Sequence, residues 1–275
     1  MKRIYTAAAE FAQRSTTIAD MRQAKRDGRK LVQTNANTAE EARAVEAAGI
    51  DMMICNSANA AVVRAANKTT FCTAALFLTE FPTYDDILRE AYRVLHLGVD
   101  AVITPRSFDV VEKLAREGIP VMGHLGLVPR KSIWIGGLRA VGKTADEAKS
   151  LYLDFKRLEN AGAFAVEAEV IAADVFTEIA KRTSLICVSL GSGTGGDVSF
   201  LFMNDLCGET ETAPRHAHAF GNLAALHKQV HTARIDALKS FRDASLNGSF
   251  PAAANNAQAS MGEFDAFLET LNTLD

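Results

Sequence analysis

The sequence is poor in the features that would commit it to several common classes. Its 275 residues contain four cysteines, Cys55, Cys72, Cys187 and Cys207, with no C-x-x-C pair and no zinc-like spacing. That excludes a disulfide framework and predicts buried free thiols in a reducing cytoplasm. No run reaches the ~20 apolar residues of a membrane span. Lys and Arg number 30 against 33 Asp and Glu, a net charge of −3, so there is no basic surplus to hold nucleic acid. A small-molecule partner is favoured. Several Arg and Lys near the start suggest a transit peptide, but Glu10, Asp20 and Asp27 interrupt the pattern and no apolar signal core precedes a cleavage site. Residues 1–27 read instead as an amphipathic lead-in helix.

What the sequence does have is alternation. The composition, 48% hydrophobic and 23% charged, suits a soluble globular chain. Short β-rich runs alternate with helix-period segments about every thirty residues, the signature of βαβ units around a parallel sheet. The runs are Leu31–Thr34, Asp51–Cys55, Phe71–Leu78, Ala101–Thr104, Pro120–Met122, Ala165–Glu169, Leu185–Leu190 and Phe200–Asn204. Between them, Thr38–Ala48, Ala58–Ala66, Thr83–Leu97, Ser107–Glu117, Thr144–Ala161 and Asp174–Arg182 carry apolar residues at three- and four-residue intervals. Thr38, Ser107 and Thr144 stand where helix caps belong, and Gly49, Gly98, Gly118 and Gly162 where left-handed C-caps belong. Eight strands in a chain of this length predict one α/β domain, a parallel (β/α)8 TIM barrel, which typically takes roughly 250 residues. It is expected over 28–252, followed over 253–275 by a linker and a last helix at Phe264–Leu271.

In such barrels reacting groups sit at the C-terminal ends of the strands. The candidates there are Asn35, Asn37, Asn56, Ser57, Thr79, Glu80, Arg106, His124, Glu169 and the run Gly191-Ser192-Gly193-Thr194-Gly195-Gly196. A histidine between glycines can approach a ligand closely, although a core histidine bonded to backbone reads nearly as well. The glycine run lacks both phosphate-binding orders, so a plain turn competes with an anion-binding loop. Alternation places Glu167 and Glu169 on one face, with Glu169 nearer the mouth. A carboxylate inside a barrel is costly unless used or paired, and if used Glu169 is a base.

The ordered set Gly118-Ile119-Pro120-Val121-Met122-Gly123-His124-Leu125-Gly126-Leu127-Val128-Pro129, Gly136-Gly137, Leu158-Glu159-Asn160-Ala161-Gly162-Ala163, Glu169, Gly191-Ser192-Gly193 and Met203-Asn204-Asp205 resembles ketopantoate hydroxymethyltransferase. The likeness spans about residues 28–252. It implies membership of the phosphoenolpyruvate mutase and isocitrate lyase superfamily. It also implies a 2-oxo acid bound to magnesium, an enolate, and attack on methylenetetrahydrofolate. By resemblance Glu169 matches the catalytic base, and Ser57 and His124 match residues lining the substrate site. A cytoplasmic homo-oligomer acting on a small carboxylate is expected, without membrane or nucleic-acid partners.

The departures fall on the metal. Where the family has Gly-Asp-Ser this chain has Cys55-Asn56-Ser57; a second expected Asp falls near Ala75; and Lys-x-Glu becomes Ile103-Thr104-Pro105. Magnesium wants several hard oxygens, and asparagine gives one neutral carbonyl. The expectation is therefore altered or absent metal dependence, with Glu80 as a ligand only if the set is displaced. Asn56, Arg106, Arg130 and Lys131 are the candidates to hold the substrate. Two other readings stand beside this enzyme: a non-catalytic ligand-binding or scaffold barrel, and a metal-independent lyase or hydrolase using Arg106.

Overall fold

The computed structural model of the chain describes residues 1–274. It begins with an antiparallel hairpin, β1 (Lys2–Tyr5) and β2 (Phe11–Arg14), ahead of helix α1 (Ile18–Arg26). The expected lead-in helix is thus confined to the later part of residues 1–27. Two contacts favour the hairpin: Tyr5 and Phe11 meet edge to face at 5.2 Å, and Arg14 is drawn inward to a buried carboxylate.

The barrel follows. Its strands are β3 (Leu31–Asn35), β4 (Met52–Asn56), β5 (Phe71–Ala75), β6 (Ala101–Thr104), β7 (Val121–Gly126), β8 (Ala165–Glu169), β9 (Ile186–Leu190) and β10 (Val198–Phe200). They close in the order β10-β3-β4-β5-β6-β7-β8-β9, every pair parallel. Helices α2 (Ala39–Ala47), α3 (Ala60–Ala66), α4 (Tyr84–His96), α5 (Phe108–Arg116), α6 (Ala145–Asn160) and α7 (Ala173–Ala180) fall within two residues of the bounds that periodicity predicts. Their ends obey local chemistry: Thr38 and Thr144 cap α2 and α6, and Gly49, Gly98, Gly118 and Gly162 adopt φ of 70°, 88°, 78° and 86°. Ser107 stands at the N-cap of α5 but makes no side-chain capping bond.

Three strands differ from expectation. The run expected to reach Leu78 ends at Ala75, where pairing with β6 stops at Ile103. The run expected to stop at Met122 continues to Gly126, because Leu125 and Gly126 pair with Ala168 and Glu169 of β8. The last strand is Val198–Phe200 rather than Phe200–Asn204. There the Asn35 carboxamide oxygen accepts the Met203 N–H at 2.6 Å, starting the short helix α8 (Met203–Leu206).

Period-two alternation sorts the strand residues into two cores. Met53, Cys55, Cys72, Ala74, Val102, Val121, Val166 and Cys187 pack outward with residues of the helices. Leu31, Met52, Ile54, Phe71, Ile103, Met122, Ala165, Val188 and Phe200 fill the barrel, and Met21 and Ala24 of α1 join that cluster. His124 shares the phase of Met122, and Glu167 and Glu169 that of Ala165, so all three point inward.

Arg14, 2% exposed, holds both oxygens of Asp100 through Nε at 2.8 and 2.9 Å; Asp100 also accepts the Cys72 N–H. Asp100→Ala leaves the guanidinium buried without its counter-ion. The expected loss is about 3–5 kcal/mol of unfolding free energy, measured by urea denaturation. A loss below about 1 kcal/mol would place this pair with weak surface ion pairs.

Contacts divide the chain into two compact units, Met1–Gly221 and a second from Asn222 onward, whereas the sequence suggests a boundary at 252. The second unit contains α9 (Leu223–Leu246) and α10 (Glu263–Leu274). Among the described residues no helix is long and apolar enough to cross a membrane.

Candidate active site

The C-terminal ends of the barrel strands surround a cavity of about 270 Å³. One wall, from β7 and β8, carries His124, Glu167 and Glu169; the opposite wall, from β4 to β6, carries Ile54, Asn56, Ala75, Ile103 and Pro105. The His124 Nε2 lies 2.9 Å from Glu169 Oε2 and 3.7 Å from Glu167 Oε1. Their side chains are 12%, 12% and 7% exposed, so these charges interact with little screening by water.

This geometry sets the direction in which the His124 and Glu167 pKa values move. Burial alone would lower the His124 pKa. The Glu169 hydrogen bond, the two carboxylate charges and a backbone hydrogen bond at Leu127 together outweigh it, and the net direction is upward. Burial raises the Glu167 pKa, the Glu169 charge pushes the same way, and His124 pulls against both. Glu167 Oε2 is buried with no hydrogen-bond partner.

The backbone just beyond Glu169 is strained. Val170 has φ of +49°, a left-handed conformation that costs a β-branched residue about 1–3 kcal/mol. It is held there by its N–H bond to the Leu190 carbonyl at 2.8 Å. Ser192, fully buried, accepts the Ile171 N–H at 2.9 Å and donates to the Ala168 carbonyl at 2.8 Å. Thus Ser192 braces the turn that aims Glu169. The neighbouring glycines pack closely: a Cβ on Gly193 would stand 2.7 Å from the Ala173 Cβ. None of 191–196 lines the mouth cavity, which favours the turn over the anion loop.

Of the expected substrate-holding residues, Asn56 and Arg130 line the mouth. Arg130 stacks over Phe77, 4.6 Å from the ring centroid, and donates to Thr79 Oγ1 at 3.2 Å. Asn35 and Asn37 line it too, and the Asn37 carboxamide oxygen accepts the Asn56 N–H at 2.8 Å. Ser57, although adjacent in sequence, is 3% exposed and turns to α4: its hydroxyl bonds Glu90 and its carbonyl accepts from Arg93. Arg106 is tied to the carbonyls of Phe81 and Pro82, and Lys131 to that of Pro105. Both face a second cavity of about 590 Å³, which shares His124 and Val128 with the mouth. Burial and the Arg106 charge lower the Lys131 pKa. Glu80 is exposed and lines neither cavity.

Sequence reasoning passed over Glu167 as a working group, although alternation already put it beside Glu169. It also passed over Phe77, which it placed inside the run Phe71–Leu78; the strand ends at Ala75 and leaves Phe77 on the loop at the mouth.

The family profile described as ketopantoate hydroxymethyltransferase matches residues 57–253. The chain belongs to that family. The 3-methyl-2-oxobutanoate hydroxymethyltransferase of Hyperthermus butylicus is 29% identical over 93% of this chain and 95% of its own length. That of Staphylothermus marinus is 31% identical over 81% and 89%, and that of Pyrobaculum arsenaticum 36% identical over 60% and 63%. Two solved structures share the fold. Phosphoenolpyruvate phosphomutase from Streptomyces platensis has a TM-score of 0.51 at 12% identity, covering 94% of this chain and 97% of that one. 2,3-Dimethylmalate lyase, a PEP mutase/isocitrate lyase superfamily member, has a TM-score of 0.51 at 14% identity, covering 82% and 88%.

Within the ketopantoate hydroxymethyltransferase family the resemblance implies magnesium, and the wall that would bind it does not fit. Between β4 and β6 the cavity presents one neutral carboxamide, Asn56, among Ile54, Ala75, Ile103 and Pro105. A hard divalent ion finds no anionic oxygen there. His124, Glu167 and Glu169, whose ligand atoms lie within 4.8 Å of one another, are the one three-residue cluster of potential ligands among the described residues. It stands on the other wall, with His124 Nε2 already engaged by Glu169.

Proposed function

We propose that this chain removes a proton from the carbon next to the carbonyl of a small 2-oxo acid and makes or breaks a carbon–carbon bond there. The observation that carries the reading is Glu169, a strand-end carboxylate facing the mouth cavity, hydrogen-bonded to His124 and followed by a strained turn. Glu169 takes the proton, the C–H electron pair becomes the enolate, and the enolate carbon attacks an electrophilic one-carbon unit. Arg130 pairs with the substrate carboxylate from its platform on Phe77. The Asn56 carboxamide and the Arg130 charge face the developing oxyanion, in a site with no ligand set for magnesium on that wall.

The second cavity suits the one-carbon donor. Trp134, Ile135 and Val141 offer apolar surface, and Lys131 and Arg139 offer cations for an acidic tail. Methylenetetrahydrofolate, which the resemblance implies, supplies a methylene group when bound.

We place the protein in the cytoplasm as a homo-oligomer. All four cysteines are free, in keeping with a reducing compartment, and exposed Leu226, Leu238 and Phe241 on α9 suit a subunit contact.

The test is deuterium uptake at C3 of 3-methyl-2-oxobutanoate in D2O, followed by proton NMR with no one-carbon donor. Enzyme-dependent loss of the C3–H signal is expected. No exchange across a panel of 2-oxo acids would remove the proposal's support and favour a non-catalytic binding barrel.

A further inference from the structure

Glu167 is a buried carboxylate that the proposed proton abstraction leaves unused. It is 5% exposed, one carboxylate oxygen has no partner, and the other stands 3.7 Å from the same His124 nitrogen that Glu169 engages at 2.9 Å. One Nε2–H therefore faces two acceptors, one close and one held in reserve. We propose that Glu167 is a positioning residue for the base: it takes over the Nε2–H of His124 when Glu169 accepts the substrate proton. The inference rests on the proton-abstraction reading for its use and on the trio's geometry for its existence.

The electrostatics give the reason. Before reaction the Nε2–H of His124 bonds the Glu169 carboxylate, and the Glu167 carboxylate beside it is held at a raised pKa by burial and by the Glu169 charge. When the substrate's C–H bond breaks, its proton goes to Glu169 and its electron pair stays on carbon. Glu169 becomes neutral, and one of the two pressures on Glu167 disappears. A protonated His124 then needs a counter-ion, because an unpaired buried charge is strongly unfavourable. Glu167 is in place to supply it, and the Nε2–H passes from Glu169 to Glu167. When Glu169 releases its proton the bond returns.

The other charged groups around His124 do not perform this role. Arg130, Lys131 and Arg139, from the segment after β7, and Arg106, after β6, are cations. Asp146, Glu147 and Asp154 of α6 line the second cavity, with Glu147 paired to Arg139 and Asp154 to Arg157. The walls from β3, β4, β5 and β10 contribute Asn35, Ile54, Asn56, Ala75 and Phe200, which do not titrate, and Cys55, whose thiol meets that of Cys72.

The experiment follows the His124 ring by nitrogen–proton NMR against pH in the unliganded protein, with its signal assigned by its absence in His124→Gln. Glu167→Gln removes the charge at nearly constant volume, and Glu167→Asp keeps it. In Glu167→Gln the His124 midpoint should fall by about one pH unit, since a nearby opposite charge shifts a pKa by about 1–3 units. The C3 exchange rate should fall about tenfold at saturating substrate, with KM little changed and the alkaline limb of the pH profile moved to lower pH. Glu167→Asp should recover most of both. An unchanged midpoint in Glu167→Gln, or Asp behaving as Gln does, overturns the proposal. So does a His124 signal that never titrates and broadens on adding Mn²⁺, which makes the trio a metal site. No exchange in the wild type overturns the catalytic reading separately, whatever the histidine midpoint shows.

Discussion

Glu169→Gln should slow C3 exchange by about 10²–10⁴-fold while 2-oxo acid binding changes little, because general-base catalysis contributes on that scale. Gln keeps the side chain's size and can still meet His124, so the barrel should fold normally. What it loses is the carboxylate that accepts the proton. Exchange measured by NMR, with binding measured by calorimetry, separates a chemical defect from a binding defect. Exchange within tenfold of wild type would show that another group is the base. Equal loss of binding and exchange would show that Glu169 holds the substrate instead.

The second large effect is a gain. Asn56 and Ala75 are direct partners across β4 and β5, on strands that run ~4.8 Å apart, and both face the mouth. Asn56→Asp with Ala75→Asp places two carboxylates side by side where the wild type has one neutral amide. Both positions are partly exposed, so the new charges keep some hydration. Magnesium affinity measured by calorimetry should rise about a hundredfold or more over wild type, as two hard anionic ligands are added. Equal affinity in both proteins would mean that the departures at these positions are not what distinguishes this site.

The barrel was legible because its signals are local. Period-two runs, three- and four-residue apolar spacing, Thr caps and C-terminal glycines each follow from a few consecutive residues. The same alternation placed Glu169 at a strand end facing inward. Much of the rest of the site depended on pairings remote in sequence. His124 lies within β7 rather than after it because β8, some forty residues later, extends the ladder to Gly126. Ser57 turns away because Glu90 and Arg93 of α4 claim its hydroxyl and carbonyl. Arg106 is held at the second cavity by the carbonyls of Phe81 and Pro82. Arg130 stands over the mouth because Phe77, on the loop after β5, gives it a ring to lie on. The 1–27 segment, read as one helix from its charge pattern, gives up its first part to a hairpin, since Arg14 is needed at Asp100.

The carboxylates missing from β4 to β6 and the surplus carboxylate on β8 belong to one account. The electropositive centre that the family resemblance implies on one wall has no ligands, while the opposite wall concentrates an imidazole and two carboxylates. Proton handling is therefore the part of the chemistry most strongly written into this chain's own side chains. The most direct measurement is C3 deuterium exchange of 3-methyl-2-oxobutanoate by the wild-type protein in excess chelator. The account predicts that exchange continues at the rate seen without chelator. Exchange that stops with chelator and returns on adding magnesium would contradict it.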